Sequence, residues 1–246
     1  ALDSAGVAML AKRAMKQAGQ LRALRVVPHF MPNSGGSCLM EWGNTRVLIT
    51  ANVEKRVPPF LAGQGKGWLT AEYAMLPGST LGRKQRERQR ADSRSIEIQR
   101  LIGRSLRSVM DFELLGEHTI TVDCDVIQAD GGTRTASITG GFIALSFLIQ
   151  RMLREGRIEK NPIREHLAAV SAGIVGGDAF LDLCYEEDST AEADMNFVGT
   201  QSGGISEIQI SGEKRAVTDT EFANLLVLCK TGVQQLIQLQ KEVLCI

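Results

Sequence analysis

The stretch from Asp123 to Phe142 constrains the fold more than any other part of the chain. The residues that lead into this stretch alternate at the two-residue period of a half-buried strand. The hydrophobic positions are Ile120, Val122, Cys124 and Val126. After the glycine turn at 129–132, they recur at helical spacing: Ile138, Phe142, Leu145, Leu148, Ile149 and Met152. The sequence therefore predicts a strand, a tight turn and a helix in direct succession.

The turn between this strand and this helix is a candidate phosphate-binding site. We predict Thr133 as the N-cap residue, so that the first N–H groups of the helix and the cation of Arg134 point outward. Gly131 and Gly132 let an anion approach the backbone, and the helix dipole favours negative charge there. A glycine turn before a helix is more often only a tight connection, so other features must decide between the two interpretations.

Composition and charge narrow the classes of function. The chain has 246 residues, 43% of them hydrophobic, and zero formal net charge, so a nucleic-acid site has to be a local patch. No apolar run approaches the roughly 18 residues that span a membrane and no signal peptide is evident, so we expect no membrane association. Five widely spaced cysteines predict reduced thiols in a cytoplasmic protein, and three isolated histidines argue against a histidine-rich metal site.

The pattern along the chain predicts an α/β (α+β) fold with mixed β-sheets and packed helices. We expect one domain at residues 20–246 after a short helix or irregular arm at residues 1–19. Further strands are predicted at 25–30, 37–42, 45–53, 68–76, 167–175, 179–185, 195–199 and 205–210. Further helices are predicted at 95–110 and from Thr218, where a capping box opens the last helix.

The segment Arg83–Arg94 is the sharpest compositional feature, with six basic residues against Glu87 and Asp92. It has no apolar periodicity, so we expect an exposed, mobile loop. Such a run is usually a solvated face, but six cations beside a phosphate site would instead hold an RNA backbone. Arg94 precedes the helix predicted at 95–110 and can reach an anion near its N-terminus.

Asp188 and Asp194 lie on either side of a predicted turn in the acidic stretch 186–194. If that turn is a hairpin, the two carboxylates converge and share a divalent cation, for which hard oxygen ligands suit Mg²⁺ or Mn²⁺. The alternative is a solvated acidic loop. An anion site, a nearby arginine, a carboxylate pair and a basic loop together favour phosphoryl transfer, which needs little beyond cations and a positioned nucleophile.

Five segments carry a resemblance to a known family. They are GKGWLTAEYAMLP at 65–77, RSIEIQRLIGRSLR at 94–107, DCDVIQADGGTRTASITG at 123–140, YEEDSTAEADMN at 185–196 and QKEVL at 240–244. In order and spacing they resemble the ribonuclease PH family, phosphate-dependent exoribonucleases that trim the 3′ ends of tRNA precursors. The chain departs from the family at residues 12–16, at Ala23, where the family usually has proline, and at Gly78, where it usually has arginine.

The resemblance implies how phosphate is bound and used. Gly132, Thr133 and Arg134 match the phosphate-binding motif of the family, and Arg94 matches its second phosphate-binding arginine. Inorganic phosphate is then the co-substrate, which attacks the terminal 3′ phosphodiester and releases a nucleoside diphosphate.

The resemblance also implies a metal, an RNA surface and an assembly. Asp188 and Asp194 match the paired aspartates assigned to metal binding, with Mg²⁺ or Mn²⁺, and to catalysis. Arg83 and Arg86 match arginines of the RNA-binding loop. Family members assemble as hexameric rings, trimers of dimers, so a homohexamer that binds tRNA precursors is expected.

Three interpretations of function follow. The first is an active phosphorolytic exoribonuclease, and the second is a non-catalytic RNA-binding ring subunit of an exosome-like assembly. The second is disfavoured because Arg94, Arg134, Asp188 and Asp194 are all present. A phosphate-binding enzyme of small-molecule metabolism, the third, would not need the arginine loop. Residue chemistry alone does not exclude hydrolysis in place of phosphorolysis.

Overall fold

The computed structural model describes residues 17–86 and 92–245, which form two β-sheets around one long helix. The strands are β1 (Leu24–Pro28), β2 (Gly36–Trp42), β3 (Thr45–Glu54), β4 (Trp68–Met75), β5 (Thr119–Gln128), β6 (Leu167–Val175), β7 (Asp178–Leu181), β8 (Ala193–Thr200) and β9 (Ile205–Gly212). The helices are α1 (Ser93–Arg107), α2 (Phe112–Leu115), α3 (Thr133–Arg154), α4 (Tyr185–Asp188) and α5 (Asp219–Leu244), with a 3₁₀ turn at Pro59–Leu61. The predicted arm, except residues 17–19, and residues 87–91 of the basic segment lie outside the described residues.

The first sheet places the two predicted phosphate-binding regions at the same end of its strands. Its strand order is β1-β2-β3-β5-β4, antiparallel except for the parallel pair β4 and β5. Because β4 and β5 run in the same direction, the basic segment after β4 and the glycine turn after β5 leave the sheet at the same end. The second sheet, β7-β6-β8-β9, is wholly antiparallel. The predicted mixed α/β fold is confirmed.

Helix α3 forms the centre of the core. It packs on β2 and β3 of the first sheet and on β6 of the second, and 16 of its 22 residues are buried. Among the described residues it is the one helix long and apolar enough to span a membrane, and 83% of its most apolar window is buried inside the protein. A helix that is hydrophobic on all sides is typical of a protein core.

Helix α5 is capped at its N-terminus and is fixed to this core near its C-terminus. Its predicted capping box is confirmed, since Thr218 and Glu221 exchange side-chain and backbone hydrogen bonds. The buried side-chain amide of Gln240 donates to the carbonyl oxygens of Thr139 (3.1 Å) and Leu167 (2.9 Å). One amide group therefore joins α5, α3 and β6.

Two of the predicted boundaries differ from the structure for an identifiable local reason. The predicted strand 179–185 ends at Leu181, because Asp182 has a φ of +57° that strand geometry does not allow. The predicted helix 95–110 begins earlier, at Ser93, because Asp92 is the N-cap and its carboxylate accepts from the N–H of Ser95 at 2.6 Å.

A buried ion pair joins the start of the described chain to the second sheet. Arg22 Nη2 lies 2.8 Å from Asp182 Oδ1, and Trp42 Nε1 donates to Asp182 Oδ2 at 2.8 Å. The guanidinium also donates to the carbonyl oxygens of Asp130 and Gly131, within the glycine turn. Burial alone would lower the pKa of Arg22, but the Asp182 carboxylate leaves that pKa raised, so the pair stays ionised.

We predict that Asp182→Asn lowers the free energy of unfolding by about 3 to 5 kcal/mol, because it leaves the charge of Arg22 buried without its main counter-ion. Asparagine tolerates the left-handed backbone at this position, so backbone strain would not explain the loss. Urea denaturation measures the change.

The matched control is Asp178→Asn, an exposed carboxylate at the start of β7, which should change the unfolding free energy by less than about 0.5 kcal/mol. Equal stability of the Asp182 and Asp178 variants would contradict a stabilising role for the ion pair.

Candidate active site

A cleft of about 320 Å³ opens between the two sheets. All six residues predicted to bind phosphate or metal line it, although they come from both halves of the chain: Arg94, Gly132, Thr133, Arg134, Asp188 and Asp194. The structure therefore brings together the six residues that a combined phosphate and metal site needs. The solvated-loop interpretation of the acidic stretch does not hold for Asp194, which is half-buried in a strand, whereas Asp188 lines the cleft with an exposed side chain.

The glycine turn differs from the prediction by one residue. Gly132, not Thr133, is the N-cap of α3, with φ +66° and ψ +24°, and no side chain caps the helix. Thr133 Oγ1 instead shares a 2.8 Å hydrogen bond with the hydroxyl of the buried Tyr73. A Cβ atom on Gly131 would lie 2.5 Å from the carbonyl oxygen of Leu183, so only glycine fits there. The helix N-terminus thus meets the cleft without a side-chain acceptor of its own.

The two arginines approach this N-terminus from different directions. Arg134 lies in the first turn of α3, where its Nη1 donates to Gln209 Oε1 at 2.9 Å and lies 3.7 Å from Glu97 Oε1. Arg94 lies in the first turn of α1 rather than before it. Both are close enough to Asp188 for their positive charges to lower the pKa of its carboxyl group. The two arginines and Asp188 therefore form one electrostatic unit.

The two aspartates converge without the predicted hairpin. Asp188 is the last residue of the short helix α4, and Asp194 lies in β8. Burial raises the pKa of both carboxyl groups. The negative charges of Asp188 and Glu213 raise the pKa of Asp194 further. The side of the cleft that carries Asp188 and Asp194 therefore holds negative charge that the neighbouring arginines offset only in part.

This donor set fits a hard divalent cation. Mg²⁺ is usually bound by one or two carboxylates together with water and substrate phosphate, and the Asp188 and Asp194 oxygens are ligands of this type. Within residues 17–86 and 92–245, no cluster of three or more His, Cys, Asp or Glu side chains could hold a metal ion. Water and phosphate oxygens would therefore have to complete the coordination of an ion at this pair.

The two loop arginines stand apart from the cleft wall. Arg83 and Arg86 are exposed on the described part of the basic segment, where Lys84 and Arg94 are the basic residues that line the cleft. Their predicted role in RNA binding stays a prediction.

Sequence reasoning missed three side chains of the cleft. Asn196 donates from Nδ2 to Asp194 Oδ2 at 3.3 Å, and its position two residues after Asp194 on a strand was a usable signal. Tyr185 lies at the cleft with 60% of its surface exposed. Ser171 lines the cleft from β6, and nothing in the local sequence distinguishes it from other strand serines.

Two family models match the chain, one for each sheet. Residues 20–148 match domain 1 of the 3′ exoribonuclease family, and residues 167–231 match its domain 2. The family models thus divide what the sequence patterns predicted as a single domain, although α3 packs against both sheets.

Relatives of known function cover nearly the whole chain. The chain is 50% identical to ribonuclease PH of Neisseria meningitidis serogroup C over 234 residues, which are 94% of this chain and 97% of that protein. It is 49% identical to ribonuclease PH of Solibacter usitatus over 231 residues, 93% of this chain and 97% of that protein.

Solved structures agree on the fold. Rice Rrp46 superimposes with a TM-score of 0.77 at 15% identity, covering 94% of this chain and 99% of that chain. A chain of the Archaeoglobus fulgidus exosome with RNA bound to the active site gives 0.76 at 19% identity and covers 94% of both chains. The family models and the curated relatives settle the family: this chain belongs to the 3′ exoribonuclease family of the ribonuclease PH type.

Proposed function

We propose that the protein is a phosphate-dependent 3′→5′ exoribonuclease that trims the 3′ ends of tRNA precursors and releases nucleoside diphosphates. The observation that carries this proposal is the single cleft in which Arg94 and Arg134 face Asp188 and Asp194. Phosphoryl transfer requires a bound anionic nucleophile and positive charge around the transferring group, and this arrangement provides for both.

The attacking phosphate binds at the N-terminus of α3. Main-chain N–H groups at Gly132, Thr133 and Arg134 and the dipole of a 22-residue helix favour an anion at this position. The guanidinium groups of Arg134 and Arg94 offset its charge and fix its orientation. One phosphate oxygen then attacks the phosphorus of the terminal phosphodiester, and the bond to the 3′ oxygen breaks.

The acidic side of the cleft serves the leaving group. Asp188 and Asp194 would hold Mg²⁺ or Mn²⁺, which when bound supplies positive charge to the scissile phosphate. One of the two aspartates also relays a proton to the departing 3′ oxygen as its bond to phosphorus breaks. Asn196 holds the Asp194 carboxylate in position.

The RNA strand enters past Tyr185 and the basic segment. An exposed aromatic ring stacks on any base, and Lys84, Arg83 and Arg86 attract the backbone, so the surface needs no sequence preference. We also propose a homohexamer, a trimer of dimers, and a cytoplasmic location, both supported by the family resemblance.

We predict that the protein shortens a tRNA carrying extra 3′ nucleotides only when inorganic phosphate is present, and that the products are nucleoside diphosphates. Thin-layer chromatography of products from 3′-labelled tRNA, with sulfate replacing phosphate as the control, measures this. Nucleoside monophosphates formed without phosphate would indicate hydrolysis and overturn the proposal.

We predict that Asp194→Asn lowers turnover by about 100-fold or more, since it removes a metal ligand and one of the two candidate proton donors. The same change should raise the midpoint of thermal unfolding at pH 7 in the presence of a chelator, because it removes a carboxylate whose ionisation is unfavourable in the fold.

The pH dependence follows from the sign of this shift. A raised pKa means that ionisation destabilises the folded protein as the pH rises through that pKa, so the advantage of the variant should disappear below pH 3.8, the ordinary value for aspartate. Unchanged turnover in Asp194→Asn, with Asp178→Asn as the reference, would remove Asp194 from the mechanism.

A further inference from the structure

Ser171 carries a buried hydroxyl group without a hydrogen-bond partner in the wall of the cleft. It lies on β6, only 8% of its surface is exposed, and it lines the cleft with the predicted phosphate and metal residues. Its Oγ has no hydrogen-bond partner within the described structure. A buried hydroxyl left unpaired costs about 1 to 3 kcal/mol, so such a group in a binding cleft points to a ligand that completes its hydrogen bond.

The backbone around Ser171 fixes where this hydroxyl points. Ser171 pairs with Asn196 on β8, and paired residues of antiparallel strands place their side chains on the same face of the sheet. Since Asn196 also lines the cleft, the two side chains face it together. The Ser171 carbonyl accepts a 2.6 Å hydrogen bond from the N–H of Asp182, which holds the strand in place. The hydroxyl is therefore a preorganised donor with only its own rotation free.

The position of Ser171 along β6 favours phosphate as the ligand. Two residues before it, the backbone of Ala169 is hydrogen-bonded to Thr139 of α3, and two residues after it, Gly173 pairs with Asp194. Ser171 thus lies between the anion-binding helix and the acidic pair. An anion that binds at the start of α3 and extends toward those carboxylates lies next to the Ser171 hydroxyl. Phosphate oxygens are strong acceptors for such a donor.

We propose that Ser171 is a further phosphate-binding residue, which donates from Oγ to an oxygen of the inorganic phosphate held by the α3 N-terminus. This inference rests on the proposed phosphorolytic function, because it names an additional ligand of the same co-substrate. The serine contributes binding and orientation of the nucleophile, and the arginines contribute charge.

The test is Ser171→Ala against Ser105→Ala. Ser105 is a second buried serine whose Oγ lacks a partner, but it lies in α1 and does not line the cleft. Removing either hydroxyl should leave the unfolding midpoint of the phosphate-free protein equal or slightly higher, because an unpaired polar group leaves the core.

Titration calorimetry with inorganic phosphate gives the decisive comparison. We expect Ser171→Ala to bind phosphate about 10- to 100-fold more weakly, the loss typical of a hydrogen bond to a charged group, while Ser105→Ala binds it as wild type does. The phosphate-induced rise in unfolding midpoint should shrink in Ser171→Ala alone. In turnover assays the KM for phosphate should rise, and the KM for RNA should stay unchanged.

Three results would overturn the inference. Wild-type phosphate affinity in Ser171→Ala would mean that water, and not phosphate, accepts the hydrogen bond of the Ser171 hydroxyl. A rise in the KM for RNA alone would place the hydroxyl on the RNA strand. A loss of folding in Ser171→Ala but not in Ser105→Ala would make the serine structural. In each case phosphate-dependent release of nucleoside diphosphates by the wild-type protein would still support the proposed function.

Discussion

The buried pair of Arg22 and Asp182 is the interaction on which the site depends. The pair joins residues 160 positions apart. Through the same guanidinium it holds the Asp130–Gly132 turn, which follows the first sheet, next to the segment that follows β7 of the second sheet. Two glycines with positive φ make that close approach sterically possible, since a side chain on Gly131 would collide with the backbone at Leu183. Because α3 begins at this turn, the same contact aims its N-terminus into the cleft.

The cleft combines two halves with opposite electrostatic character. On one side, a helix N-terminus and two arginines favour an anion. On the other side, burial raises the pKa of Asp188 and Asp194, so their ionised forms are unfavourable without a ligand. The protein therefore keeps charges in the cleft that destabilise its free form, and phosphate, metal and RNA together would relieve them. Unsatisfied groups of this kind are common at functional sites and rare elsewhere.

Much of this arrangement could be predicted from sequence, because its determinants are local. The alternation of β5, the helical spacing of α3 and the capping box of α5 depend on neighbouring residues, and they were correctly located. The Asp188 and Asp194 pair was identified through its motif, but the sequence made their convergence conditional on a hairpin, and the structure achieves it with a four-residue helix that leads to the strand.

Other features depend on distances across the fold and could not be found by reading along the chain. Nothing near Asp182 marks it as the counter-ion of Arg22, and its φ of +57° also ended a strand that the pattern extended to residue 185. Thr133 was expected to cap α3, but a hydroxyl from Tyr73, 60 positions away, binds it. Ser171 reads as an ordinary strand residue until the cleft is seen around it. Local patterns thus predict the elements, and only the packed sheets reveal which side chains share a ligand.

The most direct test of the whole account is a crystal structure of the protein with inorganic phosphate and Mn²⁺, using anomalous scattering to locate the metal. The account predicts phosphate on the N–H groups of Gly132–Arg134, contacted by Arg94, with Mn²⁺ between the carboxylates of Asp188 and Asp194. Phosphate bound elsewhere, or Mn²⁺ bound away from this pair while the cleft stays intact, would contradict it.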